Sequence, residues 1–165
     1  MAVNSYVRWL KHLHHRAVEQ PEGAKERHFL AQVLAFLSQP DFLPHGTKLT
    51  SVSADAIRFR DGNGCEVQIE ELSDGFRSIL GLTMELLRHL TTAHGPETLF
   101  TADDPPRVAA AGVVLIDEVD AHLHPTWQRQ IGIILCRLFP EMQFIVSSHS
   151  PLVCQAAEQG TVFLL

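Results

Sequence analysis

The chain has 165 residues, of which 45% are hydrophobic and 19% charged, a composition typical of a globular domain with an ample hydrophobic core. Its formal net charge of −6 excludes a nucleic-acid-binding protein that is basic over its whole surface, so DNA binding would require a local basic patch. Three widely spaced cysteines provide no disulfide framework, no signal peptide is recognised, and the apolar runs are too short to cross a bilayer, so we expect a cytoplasmic protein without a membrane span.

Two helices are predicted in the first part of the chain. Apolar residues recur at helical spacing from Tyr6 to Ala17, opposite a basic, His-rich face that is typical of a solvated surface, with phosphate or a partner as the alternative. A second helix is predicted over residues 21–38. We assign residues 1–47 as a helical segment and residues 48–165 as the main domain.

A small antiparallel ribbon is predicted next. Residues 49–53, 56–60 and 65–70 are short strands with alternating apolar residues. The sequence Asp-Gly-Asn-Gly at residues 61–64 is a strong hairpin turn signal between two of them.

The sequence LSDGFRS at residues 72–78 lies at the start of a long amphipathic helix, whose apolar spacing begins at Phe76. Ser73 and Gly75 therefore lie where unpaired N–H groups and the helix dipole attract anions. A simple helix cap by Ser73 is the alternative. Asp74 suits the helix dipole, but it would repel a phosphate unless its side chain points away.

A breaker-rich connection is predicted over residues 91–111, followed by the apolar strand of residues 112–116. Four consecutive apolar residues indicate a strand that is buried on both faces, as in a parallel sheet. The strand ends in Asp117 and Glu118, at the carboxyl edge where ligands bind in open α/β sheets.

The rest of the chain continues the α/β pattern. A helix begins at Pro125, and a second buried strand over residues 143–148 precedes His149 and a further helix. Residues 161–165 are predicted as a last short strand. The order β-α-β-α-β favours a parallel sheet, in which neighbouring strands would place His149 beside the carboxylates.

Three motifs occur in order: LSDGFRS at 72–78, VVLIDE at 113–118 and IVSSHSP at 145–151. Together they resemble the C-terminal half of an ABC-type ATPase, and more narrowly the bacterial SMC-like AAA/ABC ATP-binding proteins, some of which act in phage defence or with nucleases. The resemblance implies a P-loop-NTPase-like α/β fold, with a parallel sheet core, flanking helices and the small antiparallel ribbon.

The resemblance also implies roles for the residues at the sheet edge. Asp117 resembles the Walker B aspartate that holds Mg²⁺, and Glu118 resembles the base that orients the attacking water. His149 resembles the switch histidine that senses the γ-phosphate. Residues 120–124 resemble the family's D-loop, so an H-x-H metal pair at His122 and His124 is an alternative that this loop and Pro125 make unnecessary.

Four further residues resemble those that act across a dimer of ATPase heads. Ser73 and Gly75 match the signature motif, which closes on ATP held by the other protomer, and Arg77 lies close enough to assist. The family's usual second glycine is Asp74 here. Asp120 lies in the D-loop, which contacts the partner subunit. The resemblance implies that the protein binds ATP and Mg²⁺. It also implies a second head, either a homodimer partner or a P-loop-bearing protein, and a nuclease or other effector as a further partner. DNA binding rests on family analogy alone.

The sequence contains no G-x-x-x-x-G-K-[ST] motif, and its nearest approach is Gly-Thr-Lys at residues 46–48. We therefore expect the N-terminal P-loop half to be absent and the isolated chain to bind ATP weakly or not at all. A fragment, one half of a split ATPase and a pseudo-ATPase would each explain this, and we favour the fragment. The predicted function is an ATPase completed by a P-loop half; the alternative is a non-enzymatic interaction module.

Overall fold

The computed structural model describes residues 3–40, 42–157 and 160–163. It begins with helices α1 (Val3–Glu19) and α2 (Lys25–Leu37), which confirms the first two predicted helices. The second begins at Lys25 rather than at residue 21, because residues 21–24 form a turn in which Gly23 adopts a φ of 86°.

The predicted ribbon is a three-stranded antiparallel sheet of β1 (Lys48–Val52), β2 (Ile57–Arg60) and β3 (Glu66–Gln68), with β2 in the middle. The prediction of strand as far as residue 70 was wrong. Residues 69–71 form a 3-10 turn, closed by the Glu71 carboxylate accepting the Gln68 N–H at 2.6 Å.

Helix α3 (Asp74–His94) begins within the LSDGFRS motif, with Ser73 at its N-cap, which confirms the predicted long helix. The helix includes residues 91–94, which were predicted to belong to the following connection. It ends before Gly95, because the φ of 82° at Gly95 is incompatible with further helix. The connection to the next strand therefore covers residues 95–111.

The second sheet consists of β4 (Gly112–Ile116) and β5 (Met142–Val146), paired in parallel as predicted. A turn divides the crossover into α4 (Pro125–Gln128) and α5 (Ile131–Leu138), where one helix was predicted, and α6 (Pro151–Gln155) follows β5. Residues 161–163 form no strand, contrary to prediction, and residues 164–165 lie outside the described residues. No helix in the described ranges is long and apolar enough to cross a membrane.

An aromatic cluster ties the N-terminal helices to the second sheet. The Phe36 ring of α2 lies with its centroid 5.5 Å from that of Phe100 and 5.7 Å from that of Phe139, directly after α5. Phe36 and Phe139 are fully buried. The hydrophobic core therefore continues from the N-terminal helices to the segment between α5 and β5.

The β4–β5 sheet is covered on one face only. Val114 and Phe144 lie side by side and pack against the core. On the opposite face Val113, Leu115 and Ile145 are 62%, 75% and 52% exposed. The prediction of a strand buried on both faces was therefore wrong for the described chain, because no described element packs over this second face.

Candidate functional site

The carboxyl ends of β4 and β5 lie side by side. Ile116 is opposite Val146 in the parallel register, so the residues that follow each strand meet at one sheet edge. The Ser147 N–H donates to the Ile116 carbonyl at 2.9 Å, and the Val119 N–H donates to the Ser147 carbonyl at 3.0 Å. Backbone pairing thus continues past the strands and fixes the two loops against each other.

Ser147 organises the two carboxylates at this edge. Its hydroxyl donates to Asp117 Oδ1 and accepts the Glu118 N–H at 2.8 Å. Glu118 adopts a φ of 49°, a left-handed conformation that few residues other than glycine occupy. The hydrogen bond from its N–H helps to hold that conformation.

His149 lies beside Glu118, as the order of elements predicted. Its Nε2 is 3.8 Å from Glu118 Oε1, and the side chains of His149 and Glu118 are 88% and 61% exposed. The edge therefore presents two carboxylates and an imidazole to solvent. Carboxylate oxygens are suitable ligands for Mg²⁺, which proteins commonly bind through one or two carboxylates together with substrate phosphates.

The loop of residues 118–124 returns the chain from the sheet edge to α4. Its turns are closed by the Ala121 N–H donating to Glu118 O at 2.9 Å and the Leu123 N–H donating to Asp120 O at 3.0 Å. His122 adopts a φ of 63°. The Asp120 carboxylate accepts a hydrogen bond from the Ser148 hydroxyl, so Asp120 is tied to the loop that carries His149.

The N-terminus of α3 approaches this loop closely. A Cβ added to Gly75 would lie 3.0 Å from the His122 carbonyl oxygen, so a side chain at this position would force one of the two segments to shift. Ser73 occupies the N-cap position, but its hydroxyl makes no capping hydrogen bond within the described residues. The simple capping role considered for Ser73 is therefore wrong.

Arg77 pairs with Asp74 one turn into the helix. Its guanidinium hydrogen-bonds the Asp74 carboxylate, and also donates to the Glu70 carbonyl at 3.4 Å. The hydrogen bond and the charge of Arg77 lower the pKa of Asp74. The pair reduces the repulsion that Asp74 would exert on an anion at this helix end.

A cavity of about 420 Å³ lies between the α3 N-terminus and the loop of residues 118–124. Ser73 and Gly75 line it from one side and His122 and His124 from the other, with His45 also present. His45 was not identified from the sequence, since only the tertiary fold places it there. Asp117, Glu118 and His149 do not line this cavity, and neither do Arg77 and Asp120. Of the predicted site residues, Ser73 and Gly75 therefore form a cavity cluster, and Asp117, Glu118 and His149 form a separate cluster at the sheet edge.

The H-x-H pair does not form a metal centre with its neighbours. No group of three or more His, Cys, Asp or Glu side chains in the described part of the chain is arranged to hold a metal ion. His124 instead caps α4, with its Nδ1 accepting the Thr126 N–H at 3.4 Å.

The chain is similar to known proteins over most of its length. Residues 6–155 match the family described as "AAA domain, putative AbiEii toxin, Type IV TA system". The chain is 36% identical over 124 residues to the "Retron Ec83 probable ATPase" of Escherichia coli, covering 75% of this chain and 22% of that protein. It is 35% identical over 98 residues to the "Septu protein PtuA" of Bacillus mycoides, covering 59% of this chain and 12% of that protein.

Solved structures show the same fold. A chain from "Structural biochemistry of ATP-driven dimerization and DNA stimulated activation of SMC ATPases" aligns with a TM-score of 0.53 and 18% identity, covering 80% of this chain and 75% of that chain. The architecture is thus an SMC ATPase head-like α/β fold of the P-loop NTPase type. The chain spans less than a quarter of the length of the two curated relatives, 22% and 12%.

Proposed function

Because the chain belongs to this family of AAA domains, we propose that it is the carboxylate-bearing half of an ATP-hydrolysing head. The observation that carries the proposal is the meeting of Asp117, Glu118 and His149 at the carboxyl edge of β4 and β5. Phosphoryl transfer to water requires positioned charges more than covalent chemistry. A sheet edge with two carboxylates and one imidazole provides such charges.

Each residue of this edge has a distinct proposed role. Asp117, held by the Ser147 hydroxyl, would hold Mg²⁺, whose charge neutralises phosphate oxygens. Glu118 would orient the attacking water and accept its proton. His149, beside Glu118, would contact the γ-phosphate that is transferred to water.

The proposed site needs a phosphate-binding loop that this sequence does not contain. We propose that a segment carrying G-x-x-x-x-G-K-[ST], here called the phosphate-loop half, completes the head from the same polypeptide or from a separate one. The exposed face formed by Val113, Leu115 and Ile145 directly precedes the carboxylates and supports this proposal. Contiguous exposed apolar surface of this kind marks an interaction site.

The cavity cluster of Ser73 and Gly75, together with Arg77 and Asp120, which are close in sequence to residues that line the cavity, has a separate proposed role towards a second head. Ser73 and Gly75 would contact the nucleotide of that head, Arg77 would balance the charge of Asp74, and Asp120 would lie at the dimer contact. The "ATP-driven dimerization" named for the similar SMC chain supports this arrangement. The second head is either an identical copy or a P-loop-bearing partner.

The biological setting is proposed from the relatives. Similarity to retron and Septu proteins favours a cytoplasmic ATPase that couples head dimerisation to a defence effector such as a nuclease. Residues 48–165 would form the C-terminal part of the ATPase domain, preceded by the helical segment of residues 1–47. The net charge of −6 does not favour DNA binding by this part alone.

The test compares ATP hydrolysis by the chain alone with hydrolysis by the chain joined to a phosphate-loop half. The sequence of that half is taken from the DNA upstream of the coding sequence of the chain. We expect Mg²⁺-dependent hydrolysis only when both halves are present. An Asp117→Asn variant of the joined protein should lose the Mg²⁺-dependent hydrolysis. Stoichiometric association of the halves with no hydrolysis would refute the ATPase and favour the interaction module.

A further inference from the structure

Two serines flank His149 and connect its loop to two other elements. The Ser148 hydroxyl donates to the Asp120 carboxylate and accepts the Ser150 N–H at 3.0 Å. The Ser150 hydroxyl donates to Gln128 Oε1 at 2.6 Å, and Gln128 Nε2 donates to the Leu123 carbonyl at 2.9 Å. These five residues, here called the serine relay, link the loop of residues 118–124, α4 and the His149 loop.

The serine relay contains hydrogen bonds to residues distant in sequence, which a local turn does not require. Ser148 and Ser150 each accept one nearby backbone N–H, from Ser150 and Leu152, which is a common local use of serine. Their hydroxyl protons, however, go to side chains 28 and 22 residues away in sequence. Ser150 is 9% exposed, so its bond to Gln128 is shielded from competing water.

The relay connects the two site clusters. Asp120 and Leu123 belong to the loop that lines the cavity with Gly75. At the other end His149 lies between the two serines, with its side chain 88% exposed and 3.8 Å from Glu118. Because so little of the imidazole is packed, the position of the His149 backbone, which Ser148 and Ser150 hold, sets the region that the imidazole can reach beside Glu118.

We propose that Ser148, Ser150 and Gln128 are positioning residues that couple the loop of residues 118–124 to His149. A shift of this loop at the cavity moves Asp120 and Leu123, and the relay transmits the shift to the separation between His149 and Glu118. The catalytic consequence rests on the proposed ATPase function. The coupling itself is a property of the chain and is measurable without nucleotide.

Amide hydrogen exchange on the full chain, followed by NMR, tests the coupling. Ser148→Ala removes the bond to Asp120, so exchange at the Ala121 and Leu123 amides should become about threefold to tenfold faster, the effect of one lost hydrogen bond. Their own acceptors, Glu118 O and Asp120 O, are unchanged. Ser148→Thr keeps the hydroxyl and should restore the slower exchange.

A matched control removes a similar hydroxyl elsewhere. Ser53 accepts the Ala56 N–H at 3.1 Å in the ribbon, so Ser53→Ala should leave the amides of residues 118–124 unchanged. A change confined to the Ser150 amide in Ser148→Ala would overturn the coupling, because it would show a local turn only.

A second variant probes the relay from its other end and serves even if Ser148→Ala fails to fold. Gln128→Leu keeps the size of the side chain but removes both of its hydrogen bonds. We expect it to shift the imidazole ¹H–¹³C cross-peak of His149, because Gln128 is linked to the His149 loop through Ser150 and, by way of the loop that carries Leu123 and Asp120, through Ser148. An unmoved His149 cross-peak in a folded Gln128→Leu chain would overturn the proposal, whether or not the completed protein hydrolyses ATP.

Discussion

Replacement of Leu115 by glutamine separates what the exposed face contributes to folding from what it contributes to assembly. Complete burial of a leucine side chain stabilises a protein by about 1.5–3 kcal/mol. Leu115 is 75% exposed, so only a quarter of this amount, about 0.4–0.8 kcal/mol, is already used in the folded chain. The remainder, about 1–2 kcal/mol, is available to whatever covers β4 and β5.

Two measurements follow for Leu115→Gln. Urea unfolding of the chain alone should show a loss of no more than about 0.8 kcal/mol. Titration calorimetry with the phosphate-loop half should show Kd raised about 5- to 30-fold. Ile133→Gln is the control, because Ile133 is 57% exposed but lies on α5 rather than on β4 or β5, and it should leave Kd unchanged.

Each measurement refutes a different step. A loss of 2–5 kcal/mol in the chain alone, the range for truncating a buried leucine, would mean that Leu115 is packed in the folded chain. An unchanged Kd would mean that the phosphate-loop half does not pack on the β4–β5 face.

Three further predictions concern stability and assembly. Phe36→Ala should lower the free energy of unfolding by about 3–5 kcal/mol, because Phe36 is fully buried between other rings; a loss under 1 kcal/mol in urea unfolding would contradict the packing role. Gly75→Ala should weaken MgATP-dependent dimerisation of the completed protein, measured by light scattering, because the new Cβ would lie 3.0 Å from the His122 carbonyl oxygen; wild-type dimerisation would contradict the role of that close approach. Glu85→Gln should lower stability at pH 7 by about 0.5–1 kcal/mol, because a hydrogen bond from Arg88 lowers the pKa of Glu85. That contribution is present above the unfolded glutamate pKa of about 4.3 and disappears as pH falls through the lower folded pKa; a stability difference that stays constant from pH 7 to pH 3 would contradict it.

The sequence was sufficient to predict the elements that carry the site. The apolar runs before Asp117 and His149 predicted two neighbouring parallel strands. The structure pairs these strands, and Glu118 and His149 at their ends lie 3.8 Å apart. This worked because an α/β crossover brings the carboxyl ends of parallel strands to one edge.

Burial of β4 could not be predicted correctly from the same apolar run. Val113 and Leu115 have the residue types of a strand covered on both faces, but burial depends on what packs there, and no described element does. A pattern of residue types indicates which faces favour burial. It does not indicate whether the covering element lies within the same 165 residues.

The roles of the serines around His149 also came only from the structure. In the sequence SSHSP the family resemblance assigns a role only to the histidine, yet Ser147 bonds both Asp117 and Glu118 and Ser148 bonds Asp120. Partners 28 to 30 residues away are set by tertiary geometry. Three serines around one histidine were nevertheless a visible signal that this loop is held by hydrogen bonds.

Single-turnover hydrolysis by the completed protein tests the central claim, that the β4–β5 edge activates the water that attacks ATP. Glu118→Gln should bind MgATP as tightly as the unchanged protein but hydrolyse it at least about 100-fold more slowly, the usual effect of losing a general base. Glu141→Gln, an exposed glutamate just before β5, is the matched control and should hydrolyse normally. Hydrolysis at the unchanged rate in Glu118→Gln would contradict the claim.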